Sequence, residues 1–137
     1  MHLPTDSDTL GLVARLLTMR LRPTMFIGKK DIDYLSNYVS GYRTASKELG
    51  WMFPQDLLYE EFNKWYIKTH DLSGYVSAMV HLQQQYPHDP VQAIEIYFQA
   101  WDQFWELKST TMSEDEIMIM LHQRPIKATF PSDFQLV

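Results

Sequence analysis

The chain has 137 residues, of which 45% are hydrophobic and 14% aromatic, and it carries a net charge of −5. This length and apolar content predict one folded domain over residues 1–137, with a core over about 8–123 and a tail over about 124–137. The absence of cysteine excludes disulfides and thiol catalysis. Because no apolar run reaches about 18 residues and the N-terminus lacks a signal-peptide pattern, we expect a cytoplasmic protein without membrane contact.

The first predicted helix covers about residues 8–20, because apolar residues recur there at the spacing of one helical face. These residues are Leu10, Val13, Leu16 and Leu17. Pro23 should end the helix near Leu21, since proline disfavours a helical conformation of the residue before it. Residues 22–28 then read as a turn. We expect its apolar residues to pack into the core and hold the first helix against the second: Met25, Phe26 and Ile27.

The second predicted helix covers about 31–49 and shows the most regular apolar spacing in the chain. Asp31 is a suitable N-cap, and Gly50 suits the left-handed position that follows a helix. Gly41 lies inside this helix, where the close approach of another backbone is one explanation for a glycine. The residues that recur at three- and four-residue steps are Ile32, Leu35, Val39, Tyr42, Ala45 and Leu49.

After an apolar connector at 51–54, which we expect to pack down, the third helix should cover about 57–69 with Asp56 as its cap. The fourth should begin after Ser73 as N-cap and end near Gln85. The fifth should cover about 90–108, beginning with Asp89 and Pro90, and should lie at the centre of the core. Its predicted inward stripe is Val91, Ile94, Phe98, Trp101 and Trp105.

Ser113 and Glu116 form a capping-box pattern that predicts a sixth helix over about 114–123. The remaining residues should form an extended tail with local packing at Phe130 and Phe134. No run with the alternation of a strand exceeds four residues. The sequence therefore predicts an all-α protein, a single compact bundle of five or six helices with an extended C-terminal tail.

No set of residues in the sequence carries a recognisable catalytic pattern. The His70-Asp71 doublet resembles that of HD-type phosphohydrolases, but the further ligands are not in place, and a histidine at a helix C-terminus is favoured by the helix dipole. Acids at 114–116 are likewise favoured in the first turn of a helix. We therefore expect no enzyme activity, no catalytic residues, no metal site and no cofactor.

Several segments, in the same order along the chain, resemble a family of small bacterial all-α proteins over about residues 8–107. They are Arg22-Pro23-Thr24-Met25-Phe26-Ile27-Gly28, the pair Gly41-Tyr42, Phe62-Asn63-Lys64-Trp65-Tyr66, residues 73–79, and residues 93–104. The chain departs from the family pattern at Gly74, Tyr75 and Val76. Many such proteins resemble immunity proteins encoded beside polymorphic toxins, including those of contact-dependent growth inhibition. The resemblance implies a cognate toxin domain as partner.

The charge is distributed unevenly. Residues 1–50 carry a net charge of +2 and residues 51–137 a net charge of −7. An acidic half argues against nucleic-acid binding and favours a basic partner, such as a nuclease toxin. A solvated acidic surface that only maintains solubility is the alternative reading. If the surface binds a partner, its candidate residues are Glu60, Glu61, Glu95, Asp102 and Glu106.

Two other functions stay open at this stage. A ligand-binding or enzymatic domain could use an aromatic pocket, for which the candidate side chains are Tyr38, Tyr42, Trp65 and Trp101. A homo-oligomeric scaffold is the third reading, and the sequence does not fix the oligomeric state.

Overall fold

The computed structural model describes residues 11–127. This part of the chain contains seven α-helices and one pair of two-residue strands. The helices are α1 Leu12–Leu21, α2 Pro23–Ile27, α3 Ile32–Leu49, α4 Asp56–Thr69, α5 Ala78–Gln85, α6 Pro90–Lys108 and α7 Glu114–His122. Strand β1 Trp51–Met52 pairs antiparallel with β2 Ile126–Lys127, with Trp51 opposite Lys127. The predicted all-α class is confirmed, and residues 1–10 and 128–137, including Phe130 and Phe134, lie outside the described part.

Helix α6 lies at the centre of the core and contacts α3, α4 and α5. Phe62 of α4 stacks on Trp101 with ring centroids 4.0 Å apart, and it meets the rings of Tyr97 and Phe104 edge-on. Such aromatic pairs add to the free energy gained by burying their large apolar surfaces. The predicted stripe is wrong at Val91, which is 42% exposed in the first turn of the helix. The buried residues of α6 are Ala93, Ile94, Tyr97, Phe98, Ala100, Trp101 and Phe104.

Helix α1 begins with its backbone N–H groups bonded to side chains from the start of α4. The N–H of Leu12 donates to Asp56 Oδ1 at 3.0 Å, and that of Ala14 donates to Gln55 Oε1 at 2.7 Å. Asp56 also accepts bonds from the Phe53 N–H and the Tyr42 hydroxyl. The prediction that Asp56 caps α4 is therefore wrong, because its carboxylate is turned back toward α1 and the preceding connector.

The segment predicted as a turn at 22–28 contains the short helix α2. Gly28 follows it with φ of +82°, a conformation that glycine adopts without the strain of a Cβ. Phe26 and Ile27 pack against the core as predicted, whereas Met25 is 70% exposed. The helical turn explains the difference, since consecutive residues of a helix point in different directions.

Helix α5 begins at Ala78, four residues later than Ser73 and Gly74 would place it, so the prediction of Ser73 as its cap is wrong. Ser77 is the cap, and its hydroxyl accepts a bond from the Val80 N–H at 3.2 Å. The buried Asn63 of α4 accepts a second bond, from the Ala78 N–H at 3.0 Å. This contact between α4 and α5 determines where α5 starts, and the sequence around Ala78 does not predict it.

Other predicted helix ends are confirmed. Asp31, Asp89 and Ser113 each accept a bond from the first turn of their helices, and Ser113 forms the capping box with Glu116. Gly50 takes the left-handed conformation, with φ of +68°. The close approach of another backbone, one explanation for Gly41, is excluded, because a Cβ placed there meets nothing within 4 Å. The connector at 51–54 packs only in part, since Trp51 is 45% exposed.

None of the helices between residues 11 and 127 combines the length and the apolar character needed to cross a bilayer.

Candidate functional site: the acidic surface of α4, α6 and α7

The outward side of α6 carries Glu95 and Asp102, two of the predicted partner-binding residues, and both form ion pairs. The Lys30 ammonium lies 2.7 Å from Glu95 Oε1. The Arg20 guanidinium donates two hydrogen bonds to the Asp102 carboxylate, one of them from Nη2 to Oδ2 at 2.6 Å. All four side chains remain at least one-third exposed, so these pairs contribute little to stability and can exchange partners.

The acids of α4 point to different neighbours. Glu60 accepts a bond from the buried Arg43 of α3 at 3.1 Å, and Glu61 lies 2.5 Å from the Lys108 ammonium at the end of α6. The structure therefore directs Glu60 toward α3 and Glu61 toward the C-terminal end of α6, although the two are adjacent in sequence. Only Glu61 joins the surface formed by the end of α6.

Glu106 is the one predicted partner-binding residue whose carboxylate forms no ion pair with any residue of the described range 11–127. It is exposed in the last turns of α6, and a tight turn then leads into α7. That turn is closed by backbone bonds from Ser109 to Trp105 and from Met112 to Lys108, at 2.9 and 2.8 Å.

The first turn of α7 presents further exposed acids, Glu114, Asp115 and Glu116. Over residues 102–116, five Asp and Glu side chains accompany one lysine, a net charge of −4 in fifteen residues. We call Glu106, Glu114 and Asp115 the acidic edge. Sequence reasoning missed the two α7 members as site residues, because a helix N-terminus accounts for acids there without any partner. Their exposure is visible only in the structure.

Exposed apolar side chains accompany the acids on the same two helices. Leu107 of α6 is 51% exposed, and Ile119 of α7 is 64% exposed. Protein interfaces combine apolar anchors with charged residues that set the orientation and speed of association. The surface of α6 and α7 has both components.

The aromatic residues proposed for a pocket do not meet in one. Trp101 is 1% exposed and lies in the core, while Tyr42 donates its hydroxyl to the largely buried Asp56 carboxylate. Burial and the nearby Asp56 charge raise the pKa of Tyr42. Trp65 packs against Phe62. Tyr38 alone faces an open space, a groove between α2 and α3 of about 380 Å³ that is lined by Phe26, Ile27, Tyr34, Asn37 and Tyr38.

Two histidines and a tyrosine lie together at the end of α4 and on α5. The Tyr66 hydroxyl is 2.8 Å from His81 Nδ1, and the Tyr66 ring stacks on that of His70 with centroids 4.2 Å apart. Burial raises the pKa of Tyr66 to about 12, and burial together with His70 lowers the pKa of His81. Residues 11–127 contain no group of three or more His, Asp or Glu side chains that could hold a metal ion.

Comparison with known proteins found no family model, no curated protein and no solved structure that matches this chain.

Proposed function

We propose that this chain is a cytoplasmic immunity protein that binds and neutralises a basic toxin domain through the acidic surface of α6 and α7. The observation that carries the proposal is the acidic edge, a set of exposed carboxylates without ion pairs in the described range, on the same two helices as the exposed Leu107 and Ile119. The family resemblance of the sequence supplies the class of partner. Nuclease toxins bind a polyanion and so present basic clefts that an acidic surface complements.

The ion pairs on the outward side of α6 suit an exchange of partners. Arg20 and Lys30 neutralise Asp102 and Glu95 in the unbound protein, and exposed pairs of this kind contribute about 0–1 kcal/mol. A cationic side chain of the toxin can therefore compete for the same carboxylates at low cost. Glu106, Glu114 and Asp115 need no such exchange, so we expect them to make the first contacts.

The direct test is binding to the product of the neighbouring gene, measured by calorimetry with purified proteins at low and at high salt. We expect a complex at micromolar protein that weakens as salt rises, because salt screens exposed charges. The double variant carrying Glu106→Gln and Asp115→Asn should bind the toxin domain more weakly than the parent does at the same salt concentration. The control variant Glu48→Gln, which changes an exposed acid on α3, should bind as the parent does. The absence of a complex at low salt, or equal effects of both changes, would contradict the proposal.

A further inference from the structure

Residues 70–77 connect α4 to α5, and a cluster of aromatic and imidazole rings holds this connector against both helices. The Tyr66 hydroxyl lies 2.8 Å from His81 Nδ1, and the Tyr66 ring stacks on His70 with centroids 4.2 Å apart. The Tyr75 ring meets His81 edge-on, with centroids 5.2 Å apart. We call these four residues the histidine cluster, and the proposed function uses none of them.

The connector has a backbone conformation that needs support from such contacts. Asp71 has φ of +53°, which is less favourable for a residue with a Cβ than for glycine, and Gly74 has φ of +94°. The Tyr75 hydroxyl donates a hydrogen bond to Gln84 of α5 at 2.8 Å. Side-chain contacts with α4 and α5 therefore help to keep the connector in place.

A positive charge on His81 would have no carboxylate partner. Between residues 11 and 127, no Asp or Glu side chain forms an ion pair or a hydrogen bond with His70 or His81. Helices α3, α4 and α6 pack against α5. Asp33 of α3 accepts the Gln83 amide, and the α6 acids Glu95 and Asp102 are paired with Lys30 and Arg20. The other titratable side chains that interact with this region are Tyr66, Tyr75 and Tyr86.

This environment disfavours the charged imidazole. Burial and the neighbouring His70 lower the pKa of His81. An open connector would leave His81 hydrated and farther from His70, so the open form would bind protons more readily than the closed form. By linkage, lowering the pH through the mildly acidic range favours the open form.

We propose that the histidine cluster is a pH-sensitive switch: neutral His81 holds the connector on α5, and protonated His81 releases it while the bundle stays folded. The release is local because α5 has other attachments. The Ala78 N–H donates to Asn63 of α4, and Met79 and Leu82 are buried in the core. The switch is independent of the proposed function, because it lies on α4, α5 and their connector.

Hydrogen exchange measured by NMR at about pH 7.5 and about pH 5.5 tests the switch. Protection factors remove the intrinsic pH dependence of exchange. We expect protection of the Leu72 and Tyr75 amides to fall by about threefold or more at the lower pH, and that of Phe98 on α6 to stay the same. Unchanged protection at Leu72 and Tyr75 would overturn the proposal. An equal loss at Phe98 would also overturn it, because the whole bundle would then be opening.

His81→Gln tests whether His81 is the group that responds to pH. Glutamine can still bond the Tyr66 hydroxyl but takes no charge, so the fall in connector protection should disappear. His122→Gln is the matched control, since His122 on α7 bonds the carbonyl four residues earlier as His70 does. It should respond to pH as the parent does. A fall that persists in the His81→Gln variant would contradict the proposal.

Tyr66→Phe tests the contact itself. The variant keeps the ring beside His70 but loses the hydroxyl that meets His81, so connector protection at about pH 7.5 should already be lower by about threefold or more. Tyr34→Phe, at an exposed tyrosine of α3, is the control and should match the parent. Circular dichroism shows whether each variant folds. Parent-like protection in a folded Tyr66→Phe protein would show that the cluster does not hold the connector.

Discussion

Gln55 shows at the scale of one residue how this fold is held together. Its side chain is fully buried, its Oε1 accepts the Ala14 N–H of α1, and its Nε2 donates to the Leu121 carbonyl at the end of α7. Backbone groups at helix ends lack partners within their own helix, and one amide satisfies one group on each of two helices. A glutamine in a connector gives no sign of this role in the sequence.

Gln55→Leu should lower the free energy of unfolding by about 2–4 kcal/mol, because it leaves a buried N–H and a buried carbonyl without partners. Urea unfolding followed by circular dichroism measures the change. Gln99→Leu, at an exposed position of α6, is the control and should change stability by less than about 0.5 kcal/mol. A loss no larger than that of the control would show that the Gln55 bonds do not matter.

Gly11→Ala should destabilise the protein by about 1–3 kcal/mol, because its Cβ would lie 2.5 Å from Gln55 Cδ and 2.8 Å from Phe53 Cβ. The φ of Gly11 is −76°, which any residue adopts, so the cost comes from packing alone. Gly41→Ala is the matched comparison. Its Cβ meets nothing, and removing a glycine from a helix interior should stabilise the protein by about 0.5–1 kcal/mol. Thermal melts of the two variants should therefore shift in opposite directions.

His81 should make stability depend on pH. Its folded-state pKa is below the ordinary 6.5, because burial and the neighbouring His70 disfavour its charged form. The unfolded chain then binds more protons, so the free energy of unfolding should fall as the pH drops from about 6.5 through the folded pKa. His81→Gln should reduce this slope and His88→Gln should not. An unchanged slope in His81→Gln would assign the pH dependence to other groups.

At the scale of elements, the helices whose ends are set by local chemistry could be predicted from the sequence. Helices α3, α6 and α7 begin at the predicted caps Asp31, Asp89 and Ser113. The start of α5 was missed because Asn63, fifteen residues earlier in the chain, accepts its first N–H. The role of Asp56 was missed in the same way, since its partner Leu12 is 44 residues away. Local patterns do not contain such tertiary partners.

Asn63→Ala should therefore loosen the start of α5. Removing the buried acceptor leaves the Ala78 N–H without its partner, so amide exchange at residues 78–80 should become faster than in the parent. Hydrogen exchange measured by NMR gives the rates, and Asn37→Ala at an exposed position of α3 is the control. Equal rates in both variants would mean that Ser77 alone holds the helix start.

At the scale of the whole molecule, cations near the ends of α1 and α2 pair with acids on the outward side of α6. The exposed acids of α6 could be predicted from their spacing, but the ion pairs that Glu95 and Asp102 form could not, because Lys30 and Arg20 are 65 and 82 residues away in the chain. The acidic edge of Glu106, Glu114 and Asp115 forms no ion pair within residues 11–127 and so keeps its negative charge exposed. The proposed partner-binding role depends on that edge.

The association rate with the product of the neighbouring gene, measured by stopped-flow fluorescence across a range of salt concentrations, tests this role most directly. Because opposite charges accelerate encounter, we expect the rate to rise steeply as salt falls, and to rise less steeply in the variant carrying Glu106→Gln and Asp115→Asn. The Glu48→Gln variant should follow the parent. An association rate that does not respond to salt, or that is the same in the parent and the double variant, would contradict binding through the acidic edge.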